Sequence, residues 1–455
     1  MPISTTNPAT GETIETYAEM SAGEIQEIIE KTSEAQRAWS QTTFAERSER
    51  LRTLASILRE DQQRLATLIS QEMGKPIAQA RAEVEKCALG CDFYADHAEA
   101  FLAPEVVETD ASRSFVAYRP LGVVLAIMPW NFPFWQVLRF AAPALMAGNG
   151  ALLKHASNVT GCALAIEELF SRAGYPGNLF RTLRIRSDAV ESVLDHPYVA
   201  AATLTGSTEA GQAVAAAAGK RVKKTVLELG GSDPYVILED ADLDATVTAC
   251  ATGRLQNTGQ SCIAAKRFIV VEPVLEAFTK KLVEAFGTYS MGDPLDGQTT
   301  IGPLARADLR DGVHDQVKKS LERGAALLLG GEVPEGKGAY YPPTILANVQ
   351  KGMPAYDEEV FGPVAAVIAA QDEEDAIRIA NDTPYGLGAA VFTQDLARGE
   401  RIAAERLEAG NCFVNAFVKS DPRVPFGGVK ASGYGRELSV HGIREFVNTK
   451  TVYIA

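Results

Sequence analysis

The chain has 455 residues, 46% hydrophobic and 22% charged, with 38 glycines and 22 prolines. This composition excludes a disordered, collagenous or disulfide-rich chain, and the length exceeds the roughly 250–300 residues one core supports, so two or more domains are expected. The net charge of −14 (44 Lys and Arg against 58 Asp and Glu) argues against a nucleic-acid partner. It leaves room for an anionic small molecule held by a few local cations.

Six cysteines are too sparse for a disulfide framework, and no Cys-x-x-Cys or His-rich cluster suggests a metal. The first residues lack the basic and apolar regions of a signal peptide, and no apolar run reaches the roughly 18 residues of a membrane span. A cytoplasmic protein with reduced thiols and no membrane partner is expected.

Helical spacing opens the chain. A helix over 21–41 starts with a capping box, Ser21 and Glu24. Another is predicted over 43–73, with Leu51, Leu54, Ile57, Leu58, Leu65 and Leu68 on its apolar face, and a third over 77–102. Strands follow over 114–120 and 123–128. From there short apolar strands (150–154, 199–205, 224–229, 235–238, 267–271) alternate with helices (209–219, 241–255, 274–286), the rhythm of an α/β fold with parallel strands. The last strand, 449–454, is free to pair elsewhere, another subunit included.

Six segments have chemistry-bearing residues, and each has a plain structural alternative. In Leu204-Thr-Gly-Ser-Thr-Glu-Ala-Gly211 a strand runs through Gly206 into a helix. The segment reads either as a phosphate cradle touched by Ser207 or as a capped turn. Cys262, in a Gly259-Gln-Ser-Cys loop, is either a nucleophile or an inert core thiol. Glu228, before Gly230-Gly231, is either a general base or a solvated strand end. Asn131, held in Pro129-Trp-Asn-Phe-Pro133, either stabilises an oxyanion or supports a core tryptophan. Lys154 ends a strand, where it binds a ribose or phosphate or snorkels to water. In Glu358-Glu-Val-Phe-Gly-Pro363, Glu359 accepts from sugar hydroxyls and Phe361 packs on a flat ring, or the segment is an acidic turn. The five histidines show no ligand spacing.

Together and in order, these motifs resemble the aldehyde dehydrogenase superfamily. The match also includes Asn7-Pro-Ala-Thr-Gly-Glu12, Gly148-Asn-Gly-x-x-x-Lys154, Asn381-Asp-Thr-Pro-Tyr-Gly-Leu387 and Pro425-Phe-Gly-Gly-Val-Lys-x-Ser-Gly433, and so covers nearly the whole chain. The resemblance implies a Rossmann-like cofactor domain (1–108 and 129–229), a catalytic domain (230–425) and a small oligomerisation element (109–128 and 435–455). It further implies that Cys262 is the nucleophile, that Glu228 is the base and that Asn131 with the Cys262 N–H forms the oxyanion hole. Trp130, Lys154, Ser157, Gly206, Ser207, Glu359 and Phe361 would line the cofactor site. The implied reaction is thiolate addition to an aldehyde, hydride transfer to a nicotinamide, and hydrolysis of the resulting thioester.

Two departures from the family pattern stand out. Ser157 lies where NAD-preferring members often carry Glu, which points to NADP, with NAD still possible, because a carboxylate there would repel a 2′-phosphate. Arg181-Thr-Leu-Arg-Ile-Arg-Ser187 replaces a glycine-containing turn and is expected to reshape the adenosine-side rim.

Arg139, eight residues after Asn131, and Ser420, six before Phe426, sit where succinate-semialdehyde dehydrogenases bind a distal carboxylate, although Gln256 replaces a second Arg. Trp135 and Phe417 would wall the aldehyde tunnel. The sequence is most similar to the shorter bacterial NADP-dependent succinate-semialdehyde dehydrogenases, and a homodimer or homotetramer is expected. The alternatives are a dehydrogenase for another semialdehyde or aliphatic aldehyde, a thiol acyltransferase, or a non-catalytic homologue.

Overall fold

The computed structural model describes residues 2–455. Two parallel-stranded sheets carry the α/β architecture. The first has six strands in the order Gly433–Tyr434, Lys224–Glu228, Val199–Thr205, Val123–Met128, Gly150–His155 and Phe180–Thr182, all parallel except the first. The chain leaves Val123–Met128 toward one edge and returns beside it at Val199–Thr205. Their carboxyl ends therefore flank a topological switch point, where open α/β sheets bind ligands.

The second sheet has seven strands in the order Ala326–Leu329, Thr344–Ala347, Val364–Ala370, Ala265–Val271, Asp233–Ile237, Gly388–Phe392 and Asn411–Val414. Only the first pair is antiparallel. Its central strands Asp233–Ile237 and Ala265–Val271 are buried at every position, as in a parallel sheet covered on both faces, even though they include Asp233, Lys266 and Arg267.

The capping box at Ser21 and Glu24 is formed, and the first helix is Ala22–Trp39. The helix predicted over 43–73 is two, Phe44–Glu60 and Gln62–Met73. Asp61 interrupts them with φ −89° and ψ 5°, and its carboxylate accepts from Arg64 (2.6 Å) and Arg172 (2.5 Å). Periodicity cannot detect such a break, because the apolar stripe continues across it.

The terminal strand Val447–Ile454 pairs along its whole length with Arg113–Pro120 of the same chain, and Glu105–Val106 completes that three-stranded sheet. Its outer edge stays open. Val123–Met128, grouped by sequence with the small element, lies instead in the middle of the six-stranded sheet. The Gly433–Tyr434 strand pairs antiparallel with Lys224–Glu228, setting Gly433 opposite Glu228 and folding the C-terminal segment over that residue. Among the described residues no helix is long and apolar enough to cross a membrane.

Candidate active site

The loop after Val123–Met128 carries Asn131, which is 4% exposed. His155 holds this loop. Its Nε2 lies 2.9 Å from the Pro133 carbonyl, and its Nδ1 lies 3.1 Å from the Met128 carbonyl and 3.0 Å from the Ala156 N–H, so the ring bridges both sides of the loop. Burial pushes this imidazole down to about 4, so the ring stays neutral. The following helix, Trp135–Met146, has no side-chain cap of its own. Glu83 supplies one, accepting from the Phe134 N–H (2.9 Å) and the Trp135 N–H (3.1 Å) while paired to buried Lys75. Asn131 Nδ2 donates to the Gln260 carbonyl (3.1 Å), which leaves its second N–H for another acceptor.

The loop bearing Cys262 is strained. Asn257 (φ 55°) and Thr258 (φ 56°) both lie in the left-handed region that non-glycine residues avoid. Asn257 offsets the cost by donating from Nδ2 to the Asn131 carbonyl (2.8 Å) and the Gln260 carbonyl (3.0 Å), and from its backbone to Gln79 (2.6 Å). Gly259 also has positive φ, and a Cβ there would lie 2.3 Å from the Gly362 carbonyl. The Lys266 ammonium donates to the carbonyls of Cys262 (2.7 Å) and Ser261 (3.0 Å). Burial pushes the half-buried Cys262 thiol up to about 12, while Arg139 and Lys266 pull it back toward thiolate. The other thiols differ: Cys87, Cys91, Cys162 and Cys250 are fully buried, and Cys412 points at backbone carbonyls. All six are free, and no metal-holding cluster occurs among the described residues.

Glu228 is 2% exposed, and both its carboxylate oxygens lack a hydrogen-bond partner among the described residues. Burial holds its acid well above the ordinary carboxylate range, the Glu437 charge adds to this, and Arg139 and Arg436 oppose it. The reading of Glu228 as a solvated strand end is thereby excluded. Arg139 is buried and ion-paired to Glu437, and it donates to Thr205 Oγ1 (3.3 Å).

Two cavities meet at Cys262. One, of about 210 Å³, is lined by Pro129, Trp130, Asn131, Thr205, Gly206, Ser207, Leu229, Gly230, Cys262, Leu309, Glu359 and Phe361. It opens at the switch point of the six-stranded sheet. Ser207 caps the helix Thr208–Gly219 by accepting from the Ala210 N–H (3.2 Å). Glu359 accepts from the Gly231 N–H (3.0 Å), and Phe361 meets Trp130 edge to face with centroids 5.7 Å apart. Lys154 and Ser157 lie off this cavity. Lys154 ends the neighbouring strand, half-buried and with no partner among the described residues, and Ser157 starts the short helix Ser157–Val159. A helix start, a small glycine-lined wall, aromatic faces and an unpaired lysine fit a dinucleotide. The arginines of 181–187 are tied elsewhere: Arg181 to Glu167, Arg184 to the Ala18 carbonyl and Arg186 to the Pro2 carbonyl.

The second cavity, of about 360 Å³, gathers Trp135, Arg139, Phe417 and Ser420 with Cys262, Gln256 and Phe426. Its wall also includes Lys86, which donates to Ser420 Oγ (2.7 Å). Sequence reasoning missed Lys86, Lys266, Asn257 and Glu437. None of them lies in a motif that residue type and local spacing single out.

Comparisons with known proteins agree with this geometry. The aldehyde dehydrogenase family model matches residues 1–452. A Synechocystis protein named a probable NADP(+) succinate-semialdehyde dehydrogenase is 51% identical over 455 residues, covering 100% of both chains. An Escherichia coli K12 succinate semialdehyde dehydrogenase named for NAD(P)+ is 50% identical, covering 98% of this chain and 96% of that one. A crystal structure of succinic semialdehyde dehydrogenase from Streptococcus pyogenes in complex with NADP+ superposes with a TM-score of 0.97 at 39% identity, covering 99% of each chain.

Proposed function

The chain belongs to the aldehyde dehydrogenase family, and from that premise we propose that it oxidises succinate semialdehyde to succinate with NADP. The observation that carries the reading is the position of Cys262, a single thiol on the wall of both cavities. An aldehyde entering from one side and a nicotinamide from the other would meet there.

In this reading the Cys262 thiolate adds to the carbonyl carbon, with Arg139 and Lys266 favouring the charged form. The free Asn131 N–H and the Cys262 backbone N–H stabilise the oxyanion. Lys154, Ser157, Ser207 and the Trp130–Phe361 pair would hold NADP, which would accept the hydride that the thiohemiacetal carbon gives up to leave a thioester. Glu228 then takes a proton from water, which hydrolyses the thioester. Its raised proton affinity makes it a stronger base than an exposed carboxylate once ionised. The enzyme is proposed to act in the cytoplasm as a homodimer or homotetramer, built on the open edge of Val447–Ile454. The domain division stays as read from sequence, with Val123–Met128 moved to the cofactor domain.

The test is a panel of mono- and dicarboxylic semialdehydes and neutral aldehydes with NAD and NADP. Succinate semialdehyde with NADP should give the highest kcat/KM. Equal values for NAD and NADP, or a preference for butanal, would overturn the respective part.

A further inference from the structure

Three cations near the aldehyde-side cavity are buried or half-buried. Two are neutralised: Lys75 pairs with Glu83, and Arg139 with Glu437. The third, Lys86 on the helix Ile77–Phe101, has no carboxylate partner among the described residues. Its ammonium lies 4.5 Å over the Trp135 ring and donates to Ser420 Oγ (2.7 Å). Trp135 Nε1 donates to the same oxygen (3.2 Å). A hydroxyl that already accepts two donors turns its own O–H outward. Lys86 and Ser420 thus present an ammonium and a hydroxyl side by side on the cavity wall, a donor pair suited to a carboxylate.

We propose that Lys86, with Ser420, anchors the distal carboxylate of the substrate and sets the preference for an acidic aldehyde, a role that sequence comparison assigns to Arg139. This rests on the succinate semialdehyde reading. It also predicts a pH signature. Burial and the nearby Arg139 charge push the Lys86 ammonium down to about 8, so its charge is lost above that pH. The charged and titratable groups around it are Glu83 and Cys87 on its own helix, Arg139 on the next, Asp421 and exposed Lys419 on the segment after Asn411–Val414, and Lys75 and Cys262 on the cavity wall.

The experiment measures the ratio of kcat/KM for succinate semialdehyde to that for butanal, from pH 6.5 to 9.5, in wild type, Lys86→Met and Lys86→Arg. The ratio cancels effects on Cys262 common to both aldehydes. Wild type should show a large ratio that falls above about pH 8. Lys86→Met should lower it about 10- to 150-fold, the range for losing a hydrogen bond to a charged group, and make it flat with pH. Lys86→Arg should keep the preference and lose the fall, since guanidinium stays charged. Butanal turnover reports that each variant is folded. A wild-type ratio near one would refute the substrate reading. A large wild-type ratio that survives Lys86→Met would refute the Lys86 assignment alone.

Discussion

Arg139→Met gives the sharpest test of the buried charge network. Arg139 is 3% exposed and Glu437 6%, so the pair lies in the buried regime, not the solvated one. Removing one partner of a buried pair costs about 3–5 kcal/mol, against about 0–1 kcal/mol at a surface, because the remaining charge is left uncompensated. The cost depends on pH in a defined direction. Burial already raises the Glu437 acid, and losing Arg139 raises it further. A carboxylate held above its unfolded value penalises the folded state at higher pH, and the penalty is relieved as pH falls and the group protonates. The variant should therefore lose most stability near pH 8 and recover toward pH 5, as read by urea midpoints. Arg139→Met with Glu437→Gln should recover much of the loss at pH 8.

The same substitution removes the largest charge effect holding the Cys262 thiol down. Each pH unit of upward shift cuts the thiolate fraction about tenfold. Turnover of succinate semialdehyde and butanal should fall together, by about 10- to 100-fold in kcat/KM, or roughly 1.4–2.7 kcal/mol. A loss confined to succinate semialdehyde would refute this reasoning and restore Arg139 as the carboxylate anchor.

Three other variants have defined expected outcomes. Glu228→Gln should slow thioester hydrolysis about 10²–10⁴-fold, seen as a burst of one NADPH per site followed by slow turnover. It should also melt at or above the wild-type temperature at pH 8 and show no gain at pH 5, because it removes a buried acid that resists ionisation. Asn131→Ala should cost about 10²–10³-fold in kcat with a smaller change in KM if its free N–H acts on the developing oxyanion as proposed; equal effects on both constants would count against that role. Ser157→Glu should raise KM for NADP well above that for NAD, measured at fixed aldehyde, because a carboxylate beside a 2′-phosphate repels it.

Much was legible in sequence because it is local. The Val199–Thr205 strand, the Gly206 turn and the Ser207 cap are fixed within a dozen residues by β-branching, a glycine and a short hydroxyl side chain. The same holds for the α/β rhythm and for Cys262, the one thiol in a glycine loop outside an apolar run. The break at Asp61 was not legible, since the apolar stripe runs on through it and Arg172, from which its carboxylate accepts, lies 111 residues away.

What the sequence determined by itself was therefore the fold class, the family and the candidate reacting groups, through residue type and short-range spacing. Tertiary structure alone decided which charges are spent and which remain available. Arg139 meets Glu437 from the far end of the chain, and Lys86 meets Ser420 across 334 residues. The acidity of Glu228 is set by the C-terminal segment folded over it. Burial and ion pairing depend on what surrounds a group in space, and for these residues those surroundings come from distant parts of the chain.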